Sequence, residues 1–354
     1  MPDDLLALLL DLMRLPGVPG SETAVADKLH AVWSPLSDET RRTPAGSVHA
    51  IRQGRGKKPR PSVLLMAHMD SVGLVVVELD GSFLRVASSG AIAAEHLPGQ
   101  RVLIHGRRLI PGIVVQPPDH CLPAEQAEGT VPLGACLVDT GLSPRQLQGQ
   151  VRVGDPITFD RMPIHLGNGL VSGPTLDNRV GLAALTIALQ SLAHSGHAWD
   201  VVSVGSVQEE LGALGARTSG HAAAPTVALV VDTTYGRSHG EAEHLTFPLG
   251  GGPSNGWGPA AHPAVHEHLR RAAERLEIPL TLEPMPRYSE SDADVLQLVG
   301  AGIPTGCLFI PVRYMHSPVE VVDLDDIRRT AAIVAEFVRG LDAINGHSWM
   351  EVKT

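Results

Sequence analysis

The chain has 354 residues, of which 43% are hydrophobic and 19% charged, and its formal net charge is −10. Such a composition is typical of a globular protein that can bury a large core in one large or two ordinary domains. The negative charge argues against a protein whose main task is to bind nucleic acid or an anionic membrane.

The N-terminal part of the chain predicts two helices followed by a buried strand. The first helix ends at about Arg14, before a Pro-Gly-rich turn, and the second ends at about Trp33. The valine- and leucine-rich run 63–67 is typical of a strand buried on both faces of a sheet. This strand places His68 and Asp70 directly after its C-terminal end.

Residues 72–165 have a different texture. Short alternating apolar runs are separated by Gly and Pro turns, with little helical periodicity. This pattern predicts a small all-β domain. Because strands and helices alternate on both sides of it, we interpret it as an insertion. The expected domains are therefore a discontinuous catalytic domain of residues 1–71 and 166–354 and an inserted β-rich domain of residues 72–165.

Acidic residues stand at the ends of predicted elements in the middle of the chain. Asp177 precedes an Ala- and Leu-rich run, 180–192, that predicts a buried helix. A valine-rich strand from Val201 leads into Glu209 and Glu210. A further apolar strand, 226–231, ends at Asp232.

The C-terminal part continues the alternation. An amphipathic helix is predicted for 263–276, a strand for 304–310 and a final helix that Asp325 or Asp326 caps and that ends at about Leu341. The loop after the strand carries His316. The fold class expected from these elements is α/β, with a mostly parallel sheet and helices on both of its faces.

The polar residues at the strand ends form a candidate metal site. Ligands of open α/β sheets bind beyond the carboxyl ends of the strands. The residues expected there are His68, Asp70, Glu209, Glu210 and Asp232, with Asp177 and His316 reaching the same edge from loops. Carboxylates crowded in this way repel one another unless cations neutralise them. Mixed His and carboxylate ligands suit Zn²⁺, Mn²⁺ or Co²⁺.

The cysteines and the N-terminal segment indicate a cytoplasmic protein. Cys121, Cys136 and Cys307 lack metal-site spacing and predict buried, reduced thiols. The first residues include Asp3 and Asp4, where a secretory signal would carry basic residues. No segment approaches the roughly 20 apolar residues of a membrane span.

Five ordered motifs carry a resemblance to a known family. They are Ala67-His68-Met69-Asp70, the segment from Leu176 to Gly181, the segment from Gln208 to Gly212, Asp232, and the segment from Pro311 to Glu320. In these motifs the chain resembles the M42 metallo-aminopeptidases, the glutamyl-, leucyl- and lysyl-type tetrahedral (TET) peptidases. The resemblance runs nearly end to end.

This resemblance implies a metal-dependent aminopeptidase that removes N-terminal residues from short peptides. Two divalent ions are implied per subunit, Zn²⁺ first and Co²⁺ or Mn²⁺ as alternatives, about 3.5–4 Å apart. Asp177 resembles the bridging ligand, His68 and Asp232 the ligands of one metal, and Glu210 and His316 those of the other. Glu209 resembles the general base, and Asp70 the carboxylate that accepts the other ring N–H of His68. The family also implies a homo-oligomer in which the inserted domain joins dimers that build a dodecamer.

One segment departs from the family pattern. Residues Ser289-Glu290-Ser291-Asp292-Ala293 stand where the family has Gly-Gly-Thr-Asp-Ala, near the expected substrate region. Glu290 and Asp292 are therefore candidate substrate-binding residues. Glu290 either faces solvent or changes the selectivity for the substrate side chain towards basic residues.

Two other functions are weighed against the aminopeptidase. A glycoside hydrolase of the endoglucanase type needs two carboxylates and no metal, but the aromatic content of 3% leaves few rings to stack on sugars. A non-catalytic metal-binding protein would keep the ligands but has no use for Glu209 or Asp70.

Overall fold

The computed structural model describes residues 2–118, 120 and 132–341. The described helices are α1 (Pro2–Met13), α2 (Thr23–Trp33), α3 (Pro144–Gln150), α4 (Leu176–Ser195), α5 (Leu214–Ala223), α6 (Pro263–Arg275), α7 (Asp292–Leu296) and α8 (Leu324–Gly340). The described strands are β1 (Glu39–Arg42), β2 (Val48–Arg52), β3 (Ser62–His68), β4 (Gly73–Asp80), β5 (Phe83–Ser89), β6 (Arg101–His105), β7 (Leu109–Val115), β8 (Leu137–Asp139), β9 (Pro156–Phe159), β10 (Ile164–His165), β11 (Leu170–Gly173), β12 (Asp200–Ser206), β13 (Val227–Tyr235), β14 (Ser254–Trp257), β15 (Thr281–Pro284), β16 (Thr305–Arg313) and β17 (Glu320–Asp323). The fold is mixed α/β.

The large sheet is mixed rather than mostly parallel. Its strand order is β1-β2-β12-β3-β13-β16-β17-β11-β10, with β14 and β15 attached beside β16. The central strands β12, β3, β13 and β16 are parallel, whereas β1 and β2 on one side and β17, β11 and β10 on the other pair antiparallel. The prediction is wrong for these flanks because short loops join β1 to β2 and β10 to β11, and short loops can join only antiparallel neighbours.

Helices cover both faces of the sheet, as predicted. Successive residues of a strand point to opposite faces, so Val63 and Leu65 of β3 enter one core with helices α4 and α8. Leu64 and Met66 enter the second core with helices α5 and α7. The β3 run is therefore apolar throughout because both of its faces are covered.

A closed barrel lies between β3 and β10 along the chain. Its strand order is β4-β5-β8-β7-β6-β9, and its interior is a separate apolar core that includes Leu74, Val86 and Ile104. The short alternating runs of the sequence thus form a barrel. The same part of the chain also holds α3, so it is not purely β.

The start of the last helix differs from the prediction. Asp323, rather than Asp325 or Asp326, caps α8, and its Oδ1 accepts a hydrogen bond of 2.8 Å from Asp325 N. Asp326 is buried and instead accepts hydrogen bonds from Gly250 N and Gly252 N, at 2.7 and 2.8 Å. Three acidic residues in four positions made the cap ambiguous from sequence.

The register of the parallel strands aligns their carboxyl ends. Ser206 of β12 lies opposite His68 of β3, and Val230 of β13 lies opposite Met66. Residues that follow these strands therefore meet at one edge of the sheet. Two cysteines, Cys136 and Cys307, are buried and free as predicted, while Cys121 lies outside the described residues. In the described part of the chain no helix is long and apolar enough to cross a membrane.

His49 of β2 is a fully buried imidazole. Its Nε2 lies 2.9 Å from Ser219 Oγ of α5, and its Nδ1 has no hydrogen-bond partner within the described ranges. Burial, with a smaller contribution from Arg41, lowers the pKa of His49 to about 4. The folded state is therefore stabilised when the ring is neutral. This contribution to stability is fully present above the unfolded-state pKa of about 6.5 and is lost as the pH falls towards 4.

When the pH falls from 7.5 to 5, we expect the protonation of His49 in the unfolded state to lower the free energy of unfolding by about 2 kcal/mol. His49→Gln removes the titration, so the variant should lose about 2 kcal/mol less than the wild type over this interval. Urea unfolding of both proteins at both pH values measures the difference, and all other titrating groups cancel. His194→Gln, at an exposed position of α4, should behave as the wild type. Parallel pH dependences of wild type and His49→Gln would contradict the prediction.

Candidate metal centre

The structure brings the five predicted metal ligands together at the carboxyl edge of the parallel strands. His68 ends β3, Asp232 lies within β13, and Glu210 follows β12 after a short turn. Asp177 stands in the first turn of α4, and His316 lies in the loop between β16 and β17. The five side chains come from five separate elements.

These ligands form two groups that share Asp177. In the first, His68 Nε2 lies 3.1 Å from Asp177 Oδ1 and 3.5 Å from Asp232 Oδ1. In the second, His316 Nε2 lies 3.2 Å from Asp177 Oδ2 and 3.4 Å from Glu210 Oε1. Within each group the candidate ligand atoms all lie within 4.8 Å of one another. One oxygen of Asp177 thus faces each group.

Burial makes this concentration of carboxylates costly. Burial raises the pKa of Asp232 and of Glu210. Asp177 is the exception, because its hydrogen bonds with His316 and His68 outweigh burial and lower its pKa. Burial alone would lower the pKa of His316, but its contacts with Asp177 and Glu210 raise it to about 11. The site therefore favours positive charge between its acidic side chains.

The donor set fits divalent metal ions. Glu210 Oε1 is buried and accepts no hydrogen bond from any described residue. This oxygen of the second group is therefore available to bind a metal ion. Two histidines and three carboxylates in two groups with a common carboxylate suit a pair of Zn²⁺, Mn²⁺ or Co²⁺ ions. Apart from Glu209, which lies within range of His68 and Glu210, no other described residue belongs to a group of three or more potential ligands.

Asp70 holds the backbone of the Glu pair. Its side chain is fully buried, with Oδ1 accepting from Glu209 N and Oδ2 from Glu210 N, both at 3.0 Å. His68 Nδ1 lies 3.1 Å from the Asp70 backbone carbonyl and 3.6 Å from Oδ1. The nearest acceptor for the ring N–H is therefore the carbonyl of Asp70 rather than the predicted carboxylate. The carboxylate instead orients the two glutamates.

Glu209 lies on the wall of the cavity beside the ligands. Burial raises the pKa of Glu209 to about 10. The nearby His68 offsets only part of the effect of burial, and three neighbouring carboxylates raise the pKa further: Asp232, Asp292 and Glu210. A third group of potential ligand atoms comprises His68, Glu209 and Glu210. Glu209 therefore belongs to neither of the two ligand groups that share Asp177, but it is close enough to act on a molecule bound between them.

Two residues that orient the ligands were given no role from sequence. Glu320 is 1% exposed, and its carboxylate accepts from His316 N at 2.8 Å and from Asp177 N at 3.2 Å. This contact holds a loop in which His316 has a φ of 60°, unusual for a residue other than glycine. Asn178 Nδ2 donates to Asp232 Oδ1 at 2.9 Å. Their proximity in sequence to Asp177 and His316 was the only available signal.

A cavity of about 320 Å³ opens beside the metal centre. Glu290 lies on its wall and is exposed, with a φ of 53° where the family pattern has glycine. Asp292 lies beneath the cavity, is 1% exposed and accepts a hydrogen bond from Ser206 Oγ. Of the two predicted substrate-binding residues, only Glu290 reaches the wall. Besides ligands, Glu209 and Glu290, the cavity is lined by Thr233, Thr234, Tyr235, Glu283, Ser289, Phe309 and Met315.

Comparison with known proteins places this site in a family context. The family model described as M42 glutamyl aminopeptidase matches residues 46–333. The lysyl aminopeptidase of Pyrococcus furiosus is 32% identical, over 94% of this chain and 96% of that protein. Among solved structures, the aminopeptidase APDkam598 from the archaeon Desulfurococcus kamchatkensis is 31% identical with a TM-score of 0.88, covering 97% of this chain and 98% of that one.

A second solved structure is the TET aminopeptidase of a marine sediment Thaumarchaeota archaeon. It is 29% identical with a TM-score of 0.90, and the match covers 96% of this chain and 97% of that one. The likeness thus extends over nearly the whole length of each relative and includes every element of the candidate metal centre. The chain belongs to the M42 glutamyl aminopeptidase family, whose members are hydrolases acting on peptide bonds.

Proposed function

We propose that this protein is a two-metal aminopeptidase that removes N-terminal residues from short peptides. The observation that carries the proposal is the position of Asp177, whose two carboxylate oxygens face two separate donor groups. A structural ion pair would need only one such group. Two groups that share a carboxylate are the arrangement of co-catalytic hydrolase centres.

The proposed ligands follow from the two groups. His68 and Asp232 would hold one ion and Glu210 and His316 the other, and Asp177 would offer one carboxylate oxygen to each. Zn²⁺ is the proposed ion, with Co²⁺ or Mn²⁺ as alternatives, because all three accept mixed nitrogen and oxygen ligands. When bound, such ions lower the pKa of a coordinated water and polarise the scissile carbonyl.

Glu209 is the proposed general base. Its carboxylate takes a proton from the attacking water and returns it to the leaving amine, which requires a pKa raised towards neutral. Burial raises the pKa of Glu209 past neutral, to about 10, and the positive charge of ions held by the neighbouring ligands would lower it again towards neutral. Asp70 supports the step by holding Glu209 N and Glu210 N, so the two side chains leave the backbone at fixed positions.

The charge of the cavity supports cleavage at the N-terminus. No Lys or Arg is found among the described residues that line it, and Glu209 and Glu290 add to the acidic ligands. A free α-ammonium group is attracted to such a cavity. The interior of a long chain carries no such charge.

We also propose that residues 72–165 form an inserted domain that joins subunits, with residues 1–71 and 166–354 as the catalytic domain. The barrel supports this proposal because several of its large apolar side chains are exposed. They are Val77, Phe83, Leu109, Ile113 and Val153. Contact with a second subunit would remove such side chains from water. The proposed assembly is a homo-oligomer built from dimers, with the dodecamer of the family as its full form.

A glycoside hydrolase is not favoured. Among the described cavity residues there is no tryptophan, and the aromatic rings that line it belong to Tyr235 and Phe309. Metal-free hydrolysis by two carboxylates would also leave His68 and His316 without a role.

The proposal is tested with a panel of aminoacyl p-nitroanilides. The protein is stripped with a chelator and reloaded with Zn²⁺, Co²⁺ or Mn²⁺. We expect turnover to disappear on stripping and to return with at least one ion. N-acetylated substrates, which lack the α-amine, serve as the control and should not be cleaved. Turnover that survives complete metal removal, or cleavage of β-glucan in its place, would contradict the proposal.

A further inference from the structure

The cavity wall carries a carboxylate that no part of the proposed chemistry uses. Glu283 lies in β15, is half-buried and belongs to no group of potential metal ligands in the described chain. Its carboxylate accepts a hydrogen bond of 2.8 Å from Thr234 Oγ1 and another from Ser254 Oγ. Thr234 lies two residues beyond Asp232 on β13. Glu283 is therefore attached to the same strand that positions one of the proposed metal ligands.

The two hydroxyl groups orient Glu283 without neutralising it. An ionised carboxylate has about four lone-pair positions, and the two hydroxyls occupy two of them. The remaining positions are free to accept from a group in the cavity. Burial raises the pKa of Glu283, since the two hydroxyl contacts offset it only in part. A cationic group bound in the cavity would favour the charged form again.

The otherwise mostly polar lining of the cavity includes two apolar side chains. Phe309 and Met315 line the same cavity, and neither Lys nor Arg lines it in the described chain. A substrate side chain that uses both features has an aliphatic stem that contacts these two residues and a terminal group that donates to the fixed carboxylate. Lysine and arginine have this form, because each carries a charged donor at the end of an aliphatic stem.

We propose that Glu283 is a specificity-determining residue that binds the cationic side chain of an N-terminal lysine or arginine. This inference rests on the proposed aminopeptidase function. Glu290 lies on the same wall, but its side chain is exposed and no described hydroxyl orients it. Its negative charge contributes to the field of the cavity mouth, whereas Glu283 supplies the fixed hydrogen-bond acceptor.

Glu283→Gln separates charge recognition from a purely structural role. The glutamine oxygen still accepts from one of the two hydroxyls, and the other hydroxyl can rotate to accept from the side-chain amide N–H, so the contacts of β15 are retained while the negative charge is removed. The substrates are lysyl and norleucyl p-nitroanilides, because norleucine has the stem of lysine without the ammonium. The measured quantity is the ratio of kcat/KM for the two substrates in metal-loaded enzyme. Norleucyl turnover in the same preparation reports whether the variant is folded.

We expect the wild type to prefer the lysyl substrate and Glu283→Gln to lower the ratio by about 100-fold, the effect of removing one partner of a desolvated charged hydrogen bond. Glu277→Gln, an exposed glutamate in the turn after α6, is the matched control and should keep the wild-type ratio. A binding measurement complements the kinetics. In the Glu209→Gln background, calorimetry should detect tighter binding of lysinamide than of norleucinamide, and Glu283→Gln should remove the difference.

The possible failures are distinct. If Glu283→Gln leaves the ratio unchanged while norleucyl turnover persists, the assignment of Glu283 is wrong and the aminopeptidase stands. If Glu290→Gln lowers the ratio and Glu283→Gln does not, Glu290 is the determinant and the assignment is likewise overturned. If the wild type hydrolyses neither substrate with any of the three metals, the proposed function fails and this inference fails with it.

Discussion

Glu209→Gln should lower kcat by about three orders of magnitude while both metal ions stay bound. Glutamine keeps the size of the side chain but cannot accept the proton of the attacking water or return it to the leaving amine. Glu209 belongs to neither of the two donor groups that share Asp177, so its replacement leaves those ligands in place. Single-turnover kinetics on an aminoacyl p-nitroanilide and elemental analysis of the same sample measure the two quantities.

The adjacent residue supplies the control. Glu210→Gln should lower the metal content, because Glu210 Oε1 faces His316 in the second donor group. Since His68, Glu209 and Glu210 also lie within range of a common ion, the opposite assignment is a real alternative. If Glu209→Gln lost metal while Glu210→Gln retained it, the two roles would be exchanged.

Asp177→Asn should remove both ions and abolish detectable turnover. The carboxylate presents one oxygen to His68 and the other to His316, so each donor group loses a charged ligand when the side chain becomes neutral. His316→Ala, by contrast, alters only the second group and should leave about one ion per chain. Elemental analysis after dialysis against metal-free buffer measures both stoichiometries.

Asp326→Asn is the matched control for loss of a buried carboxylate. Asp326 is fully buried and bonded to Gly250 N and Gly252 N, remote from every potential ligand group of the described residues. Its replacement should change stability but leave the metal content at the wild-type value. Full metal content in Asp177→Asn would show that this residue does not bridge two ions.

Much of the metal centre could be predicted because its residues follow strands with a strong apolar signal. The runs before His68 and Asp232 are apolar at every position, which only a strand covered on both faces requires. Once two such strands are parallel neighbours, the residues after them must meet. Local patterns and one rule of topology therefore suffice to predict that these residues lie together, whereas the division of the ligands between two ions was implied by the resemblance to the family.

The flanking strands and the orienting contacts could not be predicted in this way. The antiparallel pairings of β17 and β11 depend on register between distant segments, which hydrophobic periodicity does not encode. Glu283 lies in a short and largely exposed edge strand with little pattern, 49 residues from its partner Thr234. Glu320 was recognised only as the last residue of a family motif, and its hydrogen bond with His316 N could not be predicted from the sequence.

The sequence by itself determined which elements form and which donor types stand at their ends, because burial of apolar side chains imposes a period that a single chain displays. The resemblance to the family already implied the two ligand groups and the shared Asp177. Only the tertiary structure gave the distances that bring these donors together and the contacts by which the Asp70 carboxylate holds two backbone amides. These features depend on distances of about 3 Å between residues far apart in the chain. Distances of that kind are set by packing and register, not by local composition.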